Sequence, residues 1–140
     1  MKLSLRKVLK KDWDYILELR NNKKFKKNFY QQHEISKKEH YEYLKKQLNN
    51  ANFFNWIICY GEKNVGYIRI LDYDVGIIID ENYQKKGFGR EALELLEIES
   101  KKIGLKKLVG KIMIDNINSK KIFEKNDFKL KMFWYEKNIE

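Results

Sequence analysis

The 140-residue sequence contains no proline, only one cysteine and two histidines, and no apolar run long enough to cross a membrane. Each scarcity excludes something. A lone Cys59 gives neither a disulfide framework nor a metal-spaced thiol pair, and its apolar surroundings read as a buried strand. The opening Met1-Lys2-Leu3-Ser4 lacks the apolar core of a signal peptide, so the expected compartment is the cytoplasm, with no membrane partner. Arginine occurs only at Arg6, Arg20, Arg69 and Arg90, and the lysines are scattered rather than striped. A net charge of +10 therefore suits attraction of small polyanions better than a nucleic-acid groove, and no nucleic-acid partner is expected. An apolar fraction of 43% with 14% aromatics specifies one folded domain over residues 1–140.

The pattern alternates between strand and helix. Leu3 to Leu9 reads as a first strand, and Asp12 as the cap of a helix through Arg20. A polar loop dotted with aromatics runs from Asn21 to Ile35. Ser36 and Glu39 form a capping box for a helix to about Asn49. Three strands follow: Phe54 to Tyr60, Val65 to Leu71 and Val75 to Ile79. A long amphipathic helix carries Ala92, Leu93, Leu96 and Ile103 inward and stops at Gly104. Lys107 to Ile114 reads as a fifth strand, Ser119 to Lys125 as a short helix, and Phe128 to Tyr135 as a last strand, by its alternation.

Gln84-Lys85-Lys86-Gly87-Phe88-Gly89-Arg90 lies between the short apolar strand Ile77-Ile78-Ile79 and that long helix. Two glycines one residue apart let the backbone approach a ligand, and the helix start points its positive end at the same place. Lys85, Lys86 and Arg90 add positive charge, so a pyrophosphate fits the cradle. A glycine-rich turn in a lysine-rich chain is the plain alternative. The loop lacks the Gly-Lys-Ser/Thr of a P-loop and the three glycines of a dinucleotide-binding turn.

The heptapeptide resembles the Gln/Arg-x-x-Gly-x-Gly/Ala motif of the GCN5-related N-acetyltransferases. Asp115-Asn116-Ile117-Asn118-Ser119 through Phe123-Glu124-Lys125-Asn126-Asp127-Phe128 resembles their second motif, Asn-x-x-Ala/Ser…Tyr-Glu-Lys-x-Gly-Phe. The element order resembles theirs over almost the whole chain. The resemblance implies an α+β GNAT fold: a mixed central sheet of about six or seven strands, helices on both faces and a splayed central strand pair. It also implies acetyl-CoA as co-substrate, no metal, and direct transfer of the acetyl group to a primary amine in a ternary complex.

Carried over residue by residue, the resemblance makes Ile77, Ile78 and Ile79 the strand that pairs with the pantetheine arm, with the Ile79 N–H as oxyanion donor. Gln84 through Arg90 would hold the pyrophosphate, and Asn116 would bind near the arm; locally, Asn116 reads equally as a helix cap. Two positions depart from the pattern. Phe123 stands where relatives carry a tyrosine that protonates the departing thiolate, which leaves Ser119 as the nearest candidate donor. Asp127 stands where a glycine is usual. Asp74, which precedes the cofactor strand, is the candidate general base; His33 and His40 are others, and packing roles compete for all three.

The segment from Leu19-Arg20-Asn21 to Glu39-His40 resembles two groups within the family: amino-sugar nucleotide acetyltransferases of the pseudaminic-acid type, and ribosomal-protein N-terminal acetyltransferases. Arg20, Asn21, Phe29 and His40 are then the expected acceptor-binding residues. The expected acceptor is a small-molecule amine on a nucleotide-linked amino sugar, with a peptide N-terminus as alternative. A non-catalytic CoA-binding module remains a third reading, and a homodimer an expected assembly.

Overall fold

The computed structural model describes residues 2–26, 28–30 and 32–139. Five strands form one sheet in the order β1 (Leu3–Lys7), β2 (Phe53–Tyr60), β3 (Lys63–Leu71), β4 (Asp74–Ile79), β5 (Val109–Gly110). The first four pair antiparallel, and β5 joins β4 in parallel through the crossover helix α4 (Phe88–Lys102). Helices α1 (Trp13–Asn21), α2 (Lys23–Lys26) and α3 (Lys37–Gln47) precede β2, and α5 (Ile117–Lys125) follows β5. The mixed sheet and the helix order are those expected, with five strands in place of six or seven.

Both sheet faces are covered, which explains why β2 is apolar without alternation. Trp56 and Ile58 face a core built with Ile68, Ile70 and Val75 against Ala92, Leu93 and Leu96 of α4 and Phe123 of α5. Ile57 and Cys59 face the opposite core with Tyr67, under Trp13, Ile16 and Leu19 of α1 and Leu44 of α3. At about 25 cal/mol per Å² of apolar surface, these two layers supply most of the driving force for folding. No helix among the described residues is long and apolar enough to cross a membrane.

Four local expectations change. Asp12 does not cap α1. Its buried carboxylate instead accepts two hydrogen bonds from the Arg6 guanidinium, both 2.8 Å, and one from the Leu9 N–H at 2.8 Å. The fork ties β1 to the start of α1 and holds the Asp12 carboxyl below its usual range. The 21–35 stretch, expected as a polar loop, holds the short α2. The fifth strand shrinks to Val109–Gly110, and the last strand is absent: residues 128–139 carry no regular secondary structure and join no ladder. Alternation equips a segment for pairing but supplies no partner. Ser36, by contrast, caps α3 as its box predicts, accepting the Glu39 N–H at 3.1 Å.

Candidate acetyl-CoA site

The site grows from a gap in the sheet. β4 and β5 pair only at Asp74↔Val109 and Val75↔Gly110. The Val109 N–H donates to the Tyr73 carbonyl at 2.8 Å, so odd-numbered residues of β4 direct their main-chain groups toward β5. The Asp80 N–H donates to the Val65 carbonyl at 2.8 Å, so even-numbered residues face β3. Beyond Val75 the β5 side of the ladder ends; Ile77 turns its N–H and C=O into the opening, and Ile79 turns its N–H there, its C=O being taken by Gln84. This is the splayed strand pair expected. Ile78 differs from the expectation: its main chain pairs toward Tyr67 on β3, and its side chain packs on the α1/α3 core. Within β4, Ile77 and the Ile79 N–H are the groups left to bond a guest.

The loop after β4 closes one end of the gap. Gln84 donates its amide to the Ile79 carbonyl at 2.7 Å, fixing the loop to the strand. Lys85 and Gly87 have φ of 61° and 77°, which turns the backbone just before α4. The first helical bond runs from the Glu91 N–H to the Gly87 carbonyl at 3.2 Å. The N–H groups of Phe88, Gly89 and Arg90 therefore have no helical acceptor, at the positive end of a fifteen-residue helix. A Cβ on Gly87 would meet nothing within 4 Å, so this face is open. Gly89 serves another purpose: its Cβ would lie 3.2 Å from Ile122 Cδ1, and the missing side chain admits α5 against α4.

The other loop side chains divide in the same way. Lys85, Lys86 and Arg90 are exposed, with Arg90 3.6 Å from Glu94. Phe88 is buried beside Tyr60, with ring centroids 5.1 Å apart, and holds the loop to the core. These residues fit the diphosphate and arm of acetyl-CoA: open amides, flanking cations and an unpaired strand edge. When bound, that molecule supplies the activated acetyl group.

On α5, the Asn116 side chain accepts the Ser119 N–H at 3.2 Å and so caps the helix. Its amide nitrogen has no hydrogen bond among the described residues. Ser119 is half-buried one turn before Ile122, the residue that touches Gly89, and its hydroxyl is likewise unbonded within the described residues. Phe123 lies buried under Gly110 and against Phe128, with ring centroids 4.8 Å apart, and belongs to the core rather than to the gap. Asp127 keeps the turn that a glycine would make, at φ 65°, while the Phe128 N–H closes back on the Phe123 carbonyl at 3.1 Å.

Asp74 and Ile79 lie at opposite ends of β4, about 16 Å apart at the usual strand rise, so they cannot act on one thioester. Asp74 is held by Arg69, whose guanidinium lies 3.5 Å from Oδ2 and donates to the Asp74 carbonyl at 2.9 Å. Asp74 Oδ1 is buried with no hydrogen-bond partner among the described residues. Sequence reading missed Arg69. Its signal was Gly76, which is paired with it across the strands: a Cβ there would come within 2.9 Å of the guanidinium carbon.

Two of the acceptor expectations are contradicted by the partners these side chains already have. His40 is buried, with Nε2 2.7 Å from the Trp13 carbonyl and Nδ1 3.1 Å from Arg20 Nη1. The carbonyl requires a proton on Nε2, so Nδ1 is the acceptor, and neither nitrogen is free for substrate or for base duty. Burial, and to a lesser degree the Arg20 cation, pull its pKa below the ordinary value. Asn21 uses both ends of its amide on the Ile35 backbone, at 2.8 and 2.9 Å, and closes the loop. Arg20 is half-buried over the Tyr43 ring, and Phe29 is half-buried in the loop. His33 is exposed, 3.7 Å from Glu39.

Comparison with known proteins agrees with this geometry. The acetyltransferase (GNAT) domain family matches residues 2–129, and the chain belongs to that family. Membership brings the enzyme class and the acetyl-CoA co-substrate. A curated protein of Methanocaldococcus jannaschii is 32% identical over 139 residues; the chain spans 28% of its length. A solved domain from the same organism superposes with a TM-score of 0.82 at 29% identity, covering 91% of this chain and 88% of that one. The Vibrio cholerae spermidine N-acetyltransferase in complex with CoA and spermine gives 0.78 at 22% identity, covering 88% and 78%. A ribosomal α-N-protein acetyltransferase in complex with coenzyme A gives 0.80 at 18%, covering 94% and 82%. The last two share the fold.

Proposed function

We propose that the chain transfers an acetyl group from acetyl-CoA directly to a primary amine, and that the acceptor is anionic, as in a nucleotide-linked amino sugar. The observation that supports the transfer most is the alternation along β4, with Ile77 and Ile79 facing an opening that ends at the open amides before α4. Acetyl-CoA anchored by its diphosphate at Gly87 would run its arm back along β4. Ile79, next to the loop, then pairs with the arm, and Ile77 becomes the better oxyanion donor than Ile79. Loss of such a donor costs on the order of 3 kcal/mol of transition-state stabilisation.

The amine attacks the thioester carbon, the C–N bond forms and the C–S bond breaks. With a phenylalanine at 123 there is no phenol at that position to protonate the leaving thiolate; the unbonded Ser119 hydroxyl, one turn from the residue that covers Gly89, is the proposed hydrogen-bond donor to the thiolate, and solvent supplies the proton. Asp74, about 10 Å from Ile77 by strand rise, can receive the amine proton only through water. Cys59 packs in the opposite core, so Cys59→Ala keeps turnover; its loss in a folded variant would contradict direct transfer.

A net charge of +10, with Arg20 and Arg69 on the α1/α3 face, favours anionic acceptors over polyamines. The fold shared with the ribosomal enzyme keeps a protein N-terminus as the second reading. Thiol release measured with a UDP-linked 4-amino sugar, an N-terminal peptide and spermidine separates them. We expect kcat/KM to rank in that order. Spermidine ranking first would overturn the anionic-acceptor reading, and no release with any amine would overturn the enzyme reading.

A further inference from the structure

The α1/α3 side of the sheet carries a guanidinium that the transfer step leaves unused. Arg69 follows Tyr67 on β3 by two residues, so its side chain stands on the same face, and across the strands it is paired with Gly76. A Cβ on Gly76 would meet Arg69 Cζ at 2.9 Å and Nε and Nη2 at 3.1 Å each, so the glycine makes the room that the guanidinium occupies. One corner of the group is engaged: Nη1 donates to the Asp74 carbonyl at 2.9 Å and lies 3.5 Å from Asp74 Oδ2. The other edge, Nε with Nη2, has no acceptor among the described residues, and 26% of the side chain is open to water. That edge presents two parallel N–H groups, the geometry that a carboxylate or phosphate accepts bidentately.

A second cation lies close enough to act on the first. Arg20, at the end of α1, meets His40 Nδ1 and the Tyr43 ring but no carboxylate among the described residues. Burial lowers its pKa, and Arg69 adds to the effect as a like charge. Both guanidiniums also act on the buried Tyr67 phenol between them and the sheet. Two half-buried cations thus share the single carboxylate of Asp74, and the cluster is left short of an anion. Gly76 directly precedes Ile77, so a group held on Arg69 lies roughly 3.3 Å along β4 from the amide proposed as oxyanion donor.

We propose that the Nε–Nη2 edge of Arg69, backed by the charge of Arg20, binds an acidic group of the acceptor, a phosphate or a carboxylate, and so sets acceptor specificity. This role rests on the anionic-acceptor reading above and names the side chain that enforces it. Asp74 holds the guanidinium in position from the opposite corner, and Gly76 gives it its seat.

Steady-state kinetics with two pairs of acceptors test the assignment. One pair is a UDP-linked 4-amino sugar and the neutral methyl glycoside of the same sugar; the other is two peptides that differ by aspartate or serine at the second residue. Wild type should favour the anionic member of one pair at least about tenfold in kcat/KM, and the pair that responds names phosphate or carboxylate. Arg69→Gln should raise KM for that acceptor at least about tenfold, the loss falling on KM rather than on kcat. Arg69→Lys should recover part of it, because it restores the charge without the fork. The Arg69 Nε–H resonance of the wild type, with coenzyme A present, supplies a readout independent of variant folding. It should shift on titration with the preferred anionic acceptor and stay in place with its neutral counterpart. A preference that persists in a folded Arg69→Gln variant, or a resonance indifferent to the anion, would overturn the assignment while leaving the anionic-acceptor reading intact. No preference in either pair would overturn both.

Discussion

The two ends of the sheet differ in kind. From β1 to β4 every strand has a laddered neighbour, and both faces lie under helices. From β5 onward the ladder shrinks to two residues, a gap opens beside Ile77, and the chain finishes exposed. The first region has little freedom left to use. The second region holds the unpaired backbone, and binding needs unpaired backbone. The same hydrogen-bonding rule thus makes one half a scaffold and the other the proposed receptor.

The largest effect that should separate the two halves is a core truncation. Ile68→Ala, at a fully buried site in β3, should cost about 3–4 kcal/mol, read as a shift in urea midpoint; Ile117→Ala, half-exposed on α5, should cost about 0.5 kcal/mol or less. Equal losses would abolish the distinction.

Next comes the fork that pins the rigid half. Asp12→Asn should cost about 2 kcal/mol, because it removes a charge-assisted pair from a buried carboxylate. The Asp12 pKa is depressed on folding, chiefly by its bonds to Arg6, so its contribution is present above the unfolded carboxylate pKa and is lost as pH falls through the folded one. Wild type should therefore lose stability below about pH 4, and the variant should lose less across that window.

On the receptor side, Gly87→Val forces a β-branched residue to φ 77°, at about 1–2 kcal/mol, and places its side chain in the open space of the cradle. Acetyl-CoA affinity by calorimetry should drop at least about tenfold. Unchanged affinity in a folded variant would remove the loop from the site.

The smallest effect belongs to His40. Its folded pKa is lowered by burial, so the unfolded chain binds the proton more readily, and stability should fall as pH drops below about 6.5. His40→Gln should flatten that part of the profile.

What could be read from sequence was what is local. Ser36 and Glu39 are three residues apart, and nothing competes for them, so the cap forms. Asp12 carried the same signal, but Arg6 on a neighbouring strand took its carboxylate. The glycine loop was legible as a turn that opens the long helix. The division of labour between Gly87 and Gly89 was not, because it depends on where α5 lands. His40 and Asn21 have side chains fit for substrate, yet the fold engages both with its own backbone. Residues 128–135 read as a strand because their pattern suits one; whether a partner edge lies within reach is a matter of the whole molecule.

Amide resonances of β4 offer the most direct measurement. On titration with acetyl-CoA, the N–H signals of Ile77, Ile79, Phe88, Gly89 and Arg90 should shift, while those of Gly76 and Ile78, bonded into β3, should stay in place and protected. Shifts spread evenly along β4, or none at the odd-numbered positions, would contradict the claim that an unpaired strand edge and a helix start together receive the acetyl donor.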